Sequence, residues 1–175
     1  MVTVLPALHD DAIVLTGYTD RDMPAHLAGV NGQAAHRFGW RPKTPASATI
    51  QDGFARWAHE WETGGHTRAF AAREQVTGRL LGGCELRIQP RASADVRYWT
   101  SANDRGRGYA TRSLVLLLRY ARAIGIRQAT AHIAANNHAC RRVAEKAGLR
   151  SVAAFTAADG TGMVQYLIDL TRSAF

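Results

Sequence analysis

The sequence predicts a single mixed α/β domain, and three features carry that expectation. Hydrophobic periodicity is helical up to Glu62, turns to short extended runs from Thr67, and then alternates between strand and helix. Gly106 and Gly108 stand where an extended run gives way to a helix-favouring one. Excess positive charge also begins at that turn: residues 105–150 hold ten Arg or Lys and one acid, Glu145, against twelve basic and thirteen acidic residues elsewhere.

At 175 residues the chain is long enough for a sizeable core and is taken as one domain, 1–175. A hydrophobic content of 46% with 21% charged residues describes a folded chain rather than a disordered one. No apolar run reaches bilayer length and residues 1–8 lack a secretory pattern, so no membrane partner is expected and the cytoplasm is the expected location. Cys84 and Cys140 are far apart and without CxxC spacing, which indicates neither a disulfide framework nor a zinc site; no metal is expected.

Ile13 to Tyr18 reads as the first strand, with Ile13 and Leu15 on one face. Asp20 or Asp22 caps a helix to about Asn31. Phe38, Gly39, Trp40, Pro42 and Pro45 form a loop signature, and Phe38 and Trp40 are assigned to a substrate pocket, with Trp57 a further aromatic hint. A second helix covers Thr49 to Glu62, with Ile50, Phe54, Trp57, Ala58 and Trp61 as its apolar face. Arg68 to Ala72, Arg79 to Ile88 and Val96 to Thr100 read as an antiparallel meander. A helix from Thr111 to Ile124 is apolar nearly all round and belongs against the sheet. Gln128 to Ile133 is a strand. The helix after it is capped by Asn136 or Asn137, turns Ala139, Cys140, Val143, Ala144 and Ala147 inward, and ends at Gly148. Arg150 to Phe155 and Met163 to Leu170 flank Asp159-Gly160-Thr161-Gly162 as a closing hairpin.

Two glycines at a strand-to-helix junction admit a ligand close to the backbone and aim the free N–H groups of the helix start at it, which suits a phosphate or pyrophosphate. The charge gathered there favours a polyanion. Nucleic acid fits less well, because Tyr109 and Tyr120 are the only aromatics in the basic segment. A dinucleotide turn would want a third glycine where Thr111 stands, and no Gly-Lys-Ser/Thr exists for a Walker loop.

The turn resembles the acyl-coenzyme A loop of the GCN5-related N-acetyltransferase (GNAT) superfamily, Gln/Arg-x-x-Gly-x-Gly/Ala, with Arg105, Gly108 and Ala110 in the specified positions. Tyr98-Trp99 and the stretch from Asn137 to Leu149 are similar to the ribosomal-protein alanine acetyltransferase (RimJ/RimL-like) branch, which commonly has Gly where Arg97 stands. The resemblance implies a mixed sheet of about six to seven strands with an antiparallel N-terminal meander, a splayed parallel pair and about four helices. It implies an acetyl-CoA-dependent N-acetyltransferase acting by direct transfer on a primary amine, either a protein N-terminus or a small molecule. A non-catalytic acyl-CoA-binding module is the alternative, and a homodimer is a compatible assembly.

By the same resemblance, backbone at Trp99, Thr100 and Ser101 meets the pantetheine arm. Arg105, Gly106, Arg107, Gly108, Tyr109, Ala110 and Thr111 hold the pyrophosphate, and Asn137 meets the reacting end. Asp95 stands about where the family places a general base, with Glu85 as a second candidate. Cys140 replaces a serine; its helix start would lower its pKa, but a small inward residue beside the coenzyme sulfur is favoured over a nucleophile. Ala144 occupies the position of a tyrosine acid in many relatives.

Overall fold

The structure is a computed structural model and describes residues 8–31 and 47–172. Phe38 and Trp40, with the loop signature expected around them, lie outside the described residues. Among the described residues eight strands form one sheet: β1 (Leu8–His9), β2 (Ile13–Thr16), β3 (Thr67–Glu74), β4 (Leu80–Gln89), β5 (Ser93–Thr100), β6 (Gln128–Ala134), β7 (Arg150–Thr156) and β8 (Gly162–Asp169). Their order is β1-β2-β3-β4-β5-β6-β8-β7. Pairing is antiparallel throughout except between β5 and β6. The count exceeds the expected six to seven because the two-residue β1, too short to carry a period, pairs with β2.

Four α-helices occur among the described residues: α1 (Met23–Asn31), α2 (Ser47–Thr63), α3 (Tyr109–Ala123) and α4 (His138–Lys146). None of the described helices is long and apolar enough to cross a membrane. As its pattern predicts, α3 buries Leu114, Leu116, Leu117 and Leu118. Strand β4 is covered on both faces: Cys84 Sγ lies 3.9 Å from the Ser113 carbonyl of α3, while Glu85, on the opposite face, accepts from Trp57 of α2.

Several local expectations change. A 3-10 turn, Asp20–Asp22, precedes α1, and its N-cap is Thr19 rather than either aspartate. Asp22 Oδ2 instead accepts from the Thr19 N–H at 2.7 Å and pairs with Arg73 of β3. Burial alone would push the Asp22 carboxyl up, but Arg73 and Thr19 outweigh it and hold its pKa below the usual value. Ala58 and Ala139 are exposed rather than inward. Strand β5 begins at Ser93, so Asp95 is its third residue.

The sheet opens at its parallel pair. Strands β5 and β6 are in register only at Ser93↔Gln128, Ala94↔Ala129 and Asp95↔Thr130. Beyond Asp95 they part, as the resemblance implies, and the backbone of β5 keeps β4 as its one strand partner among the described residues.

Candidate active site

A cleft of about 240 Å³ occupies the gap where β5 and β6 diverge. It runs from the start of α4, at Asn137 and Cys140, past His132 and Arg97, to Tyr18 and Trp57 beneath α1 and α2. The backbone of β5 alternates between its two neighbours. Ala92 directs its carbonyl to Arg127, just before β6, at 2.7 Å, and the Ser101 N–H donates to Leu81, on the β4 side, at 2.8 Å. By that alternation Val96, Tyr98 and Thr100 present their backbone groups to the gap, while Trp99 and Ser101 direct theirs to β4.

At its C-terminal end β5 leads through Ala102–Asp104 into the glycine turn, whose residues do not line the cleft. Gly106 and Gly108 have φ of 77° and 84°, left-handed values that side chains rarely adopt. A Cβ at either would find no protein atom within 4 Å, so the space over the turn is open. Gly108 is the N-cap of α3 and offers no side-chain cap; the first helical hydrogen bond runs from the Arg112 N–H to Gly108 at 3.1 Å. The N–H groups of Tyr109, Ala110 and Thr111 therefore have no partner within the helix. Arg105 and Arg107 are exposed beside them, while Tyr109 and Ala110 pack their side chains on the core.

The turn is anchored by a pair that sequence reasoning missed. Asp104, 3% exposed, ends the 3-10 turn Ala102–Asp104 and takes two hydrogen bonds of 2.9 Å from Arg79, just before β4. The guanidinium fixes the turn to the β3–β4 hairpin and offsets an acid that would otherwise repel an anion beside it.

At the start of α4, Asn137 is the buried N-cap: its Oδ1 accepts from the Cys140 N–H at 3.2 Å. The helix start does not depress the Cys140 pKa as expected. Burial pushes the thiol up to about 11, against the hydrogen bond with Asn137 and the charge of Arg105. At neutral pH it is a protonated, buried side chain. Ala144 is fully buried, and Tyr98 spends its hydroxyl on the Cys140 carbonyl at 2.9 Å.

Odd-numbered side chains of β4 and β5 face α1 and α2, where the two candidate carboxylates sit. Asp95 is hydrogen-bonded to Thr130 and, at 3.3 Å, to Gln89. Glu85, 7% exposed, accepts from Trp57 Nε1 at 3.1 Å and pairs with Arg87. Next to Glu85, Tyr18, His26, Trp57 and Trp99 form an aromatic wall: Tyr18 stacks on Trp57 with centroids 4.9 Å apart, and His26 sits edge-on to Trp99 at 5.1 Å. The Trp99 indole N–H donates to the Tyr18 hydroxyl at 3.2 Å.

His26 is 3% exposed and its Nδ1 has no partner among the described residues. Burial lowers its pKa from 6.5 to about 4, with the nearby charge of Asp22 acting in the opposite direction. Between pH 6.5 and about 4 the unfolded chain takes up this proton and the folded chain does not. Stability present above pH 6.5 is thus lost as pH falls, by about 3 kcal/mol in total. His26→Phe is expected to flatten that part of the pH–stability curve in urea unfolding, leaving the loss below pH 4 to carboxylates such as Asp22.

The cleft therefore brings together Trp57, Glu85, Asp95, Trp99, Asn137 and Cys140, while Thr100, Ser101 and the residues from Arg105 to Thr111 do not line it. The described residues contain no group of His, Cys, Asp or Glu able to hold a metal. A model of the acetyltransferase (GNAT) domain family matches residues 12–150. No curated protein matches the sequence significantly. Among solved structures, the chain is similar to a spermidine N-acetyltransferase from Vibrio cholerae in complex with CoA and spermine (15% identity, TM-score 0.80, covering 93% of this chain and 98% of that one). It is similar to RimL, a ribosomal L7/L12 alpha-N-protein acetyltransferase in complex with coenzyme A (16% identity, TM-score 0.82, covering 94% and 98%). It also resembles a microcin C7 self-immunity acetyltransferase in complex with acetyl-CoA and AMP (14% identity, TM-score 0.79, covering 97% and 99%).

Proposed function

The chain belongs to the acetyltransferase (GNAT) domain family, and on that premise we propose that its cleft binds acetyl-CoA and serves direct acetyl transfer to a primary amine. The observation that carries this reading is the parting of β5 from β6 beside a left-handed glycine turn. The open space over Gly106 and Gly108, the unpaired N–H groups at the α3 start and the strand edge facing the gap fit a pyrophosphate joined to an extended arm. Three structures that share the fold hold coenzyme A or acetyl-CoA. The bound coenzyme supplies an acetyl group activated as a thioester.

The residues divide the remaining work. The turn from Arg105 to Thr111 holds the pyrophosphate through backbone N–H groups, with Arg105 and Arg107 adding charge-assisted contacts. The gap-facing backbone at Val96, Tyr98 and Thr100 orients the arm as a neighbouring strand would be held, and Trp99 walls the acceptor side. Asn137 stands at the reacting end of the gap. The acceptor must lose a proton to become nucleophilic, and Asp95, one methylene shorter than the glutamate of many relatives, acts best through a water; Glu85 is the second carboxylate within the cleft.

Cys140 fills space beside the arm and does not form an acyl-enzyme, because burial keeps it a thiol. Cys140→Ala is expected to keep turnover within a few-fold of wild type, and a loss of about 100-fold or more in steady-state kinetics would restore the nucleophile. The stretch from Asn137 to Leu149 supports a place near the ribosomal-protein acetyltransferases, with a protein N-terminus or a small molecule as acceptor. A cytoplasmic location fits the two buried free cysteines.

The test is a thiol-release screen with acetyl-CoA against amino acids, polyamines, aminoglycosides and peptides. Amine-dependent release is expected. Coenzyme binding without release on any amine would instead support a non-catalytic module, and salt-sensitive RNA or DNA binding without coenzyme binding would contradict the reading altogether.

A further inference from the structure

The acceptor side of the cleft carries one arginine that makes no hydrogen bond or ion pair among the described residues. Arg97 lies on the odd-numbered face of β5, opposite Glu85 in the antiparallel register and between Asp95 and Trp99, and it lines the cleft. Both nearby carboxylates act on its charge, but neither pairs with it directly. Glu85 is held by Trp57 and Arg87, and Asp95 by Thr130 and Gln89. Arg97 is exposed to the cleft and has no hydrogen bond or ion pair among the described residues, and it is the one Arg or Lys in the described lining. The protein around its guanidinium lowers its pKa, and repulsion from Arg87 lowers it further, with Glu85 and Asp95 acting in the opposite direction.

The coenzyme is not the missing partner. The pyrophosphate turn begins at Arg105, and the four residues of extended chain from Arg97 to Ser101 alone span roughly 13 Å. Arg97 also faces α1 and α2, the face that bears Glu85 and the aromatic wall, rather than α3.

We propose that Arg97 recognises a carboxylate carried by the acceptor a few bonds from its amine, so that the preferred acceptors are amino acids or acidic peptide N-termini rather than polyamines or neutral amines. The cleft then meets the acceptor with complementary groups: Arg97 for the carboxylate, Glu85 and Asp95 for the ammonium before it loses its proton, and the apolar wall of Tyr18, Trp57 and Trp99 for the carbon skeleton. A polyamine would place a second cation against Arg97 and Arg87, which disfavours it. This proposal rests on the acetyl-transfer reading.

The test compares thiol release at saturating acetyl-CoA for matched acceptors: phenylalanine, phenylalaninamide and phenethylamine; spermidine; and two peptides that differ only by Asp or Asn at the second residue. A higher kcat/KM for phenylalanine than for its two neutral analogues points to a free amino acid, and a higher one for the Asp peptide points to an acidic N-terminus; either is expected. Arg97→Ala should raise KM for the preferred acceptor by about 10- to 100-fold, with the KM for acetyl-CoA and the melting temperature unchanged, and Arg97→Lys should recover part of the loss. Preference for spermidine or a neutral amine, or an Arg97→Ala variant that keeps the carboxylate preference, would overturn the proposal and leave acetyl transfer standing. Absence of turnover with every amine would overturn acetyl transfer and this proposal together.

Discussion

Replacing Gly108 with valine is expected to raise the dissociation constant for acetyl-CoA by about 100-fold or more while leaving the chain folded. The residue sits at φ 84°, where a β-branched side chain is strained. That strain costs about 1–3 kcal/mol, and no protein atom within 4 Å adds a clash. The larger effect falls on the ligand. The valine side chain would enter the open space over the α3 start and turn aside the N–H groups that receive the pyrophosphate. Losing two charge-assisted hydrogen bonds, at about 1.5–3 kcal/mol each, accounts for the factor of 100 or more. Gly160 provides a matched control: it has the same φ of 84° and open surroundings, but lies in the β7–β8 hairpin. Gly160→Val should show a similar stability loss in urea and unchanged acetyl-CoA affinity. Equal binding by wild type and Gly108→Val would remove the turn from the coenzyme site.

Gly83→Ala is expected to destabilise the fold by about 3 kcal/mol or more. A Cβ on Gly83 would collide with the Tyr18 hydroxyl and lie 2.8 Å from both the Phe70 carbonyl oxygen and Trp99 Nε1. Backbone cannot move aside as a flexible side chain can, so the sheet or the aromatic wall must shift. Burial also pushes the Tyr18 pKa far up, and displacing its hydroxyl breaks the hydrogen bond from Trp99. Tyr18→Phe should recover part of the loss in the double variant, with a coupling that a double-mutant cycle in urea measures. Independent, additive losses would show that the hydroxyl does not set the glycine requirement.

The parts of this protein legible in its sequence are those encoded by local pattern. The glycine turn, the largely apolar α3 and the Asn137 cap each follow from a few adjacent residues, though of the three only the cap, through Asn137 and Cys140, lines the cleft. What sequence reasoning missed depends on residues far apart in the chain. Asp22 looked like a helix cap, yet its main partner is Arg73, 51 residues away. Asp104 carries no local sign of its partner, Arg79, 25 residues earlier. Phe54, Trp57 and Trp61 share a helical stripe; Trp61 joins the main core, while Trp57 lines the cleft with Tyr18, His26 and Trp99 from three other segments. One signal was available: Gly82-Gly83 inside a strand pattern marks a close approach, which proves to be the Trp99 backbone for Gly82 and Tyr18 for Gly83. Cys140 shows a competition that spacing cannot resolve, because the helix start and Arg105 favour the thiolate and burial outweighs both.

The gap between β5 and β6, together with the glycine turn that follows β5, is proposed as one acetyl-CoA site. Titration calorimetry of the purified chain with acetyl-CoA tests it most directly. The expected result is one site per chain, with affinity falling as salt rises and lost in Gly108→Val but kept in Gly160→Val. A folded wild-type chain that releases no heat and shows no saturable binding would contradict it.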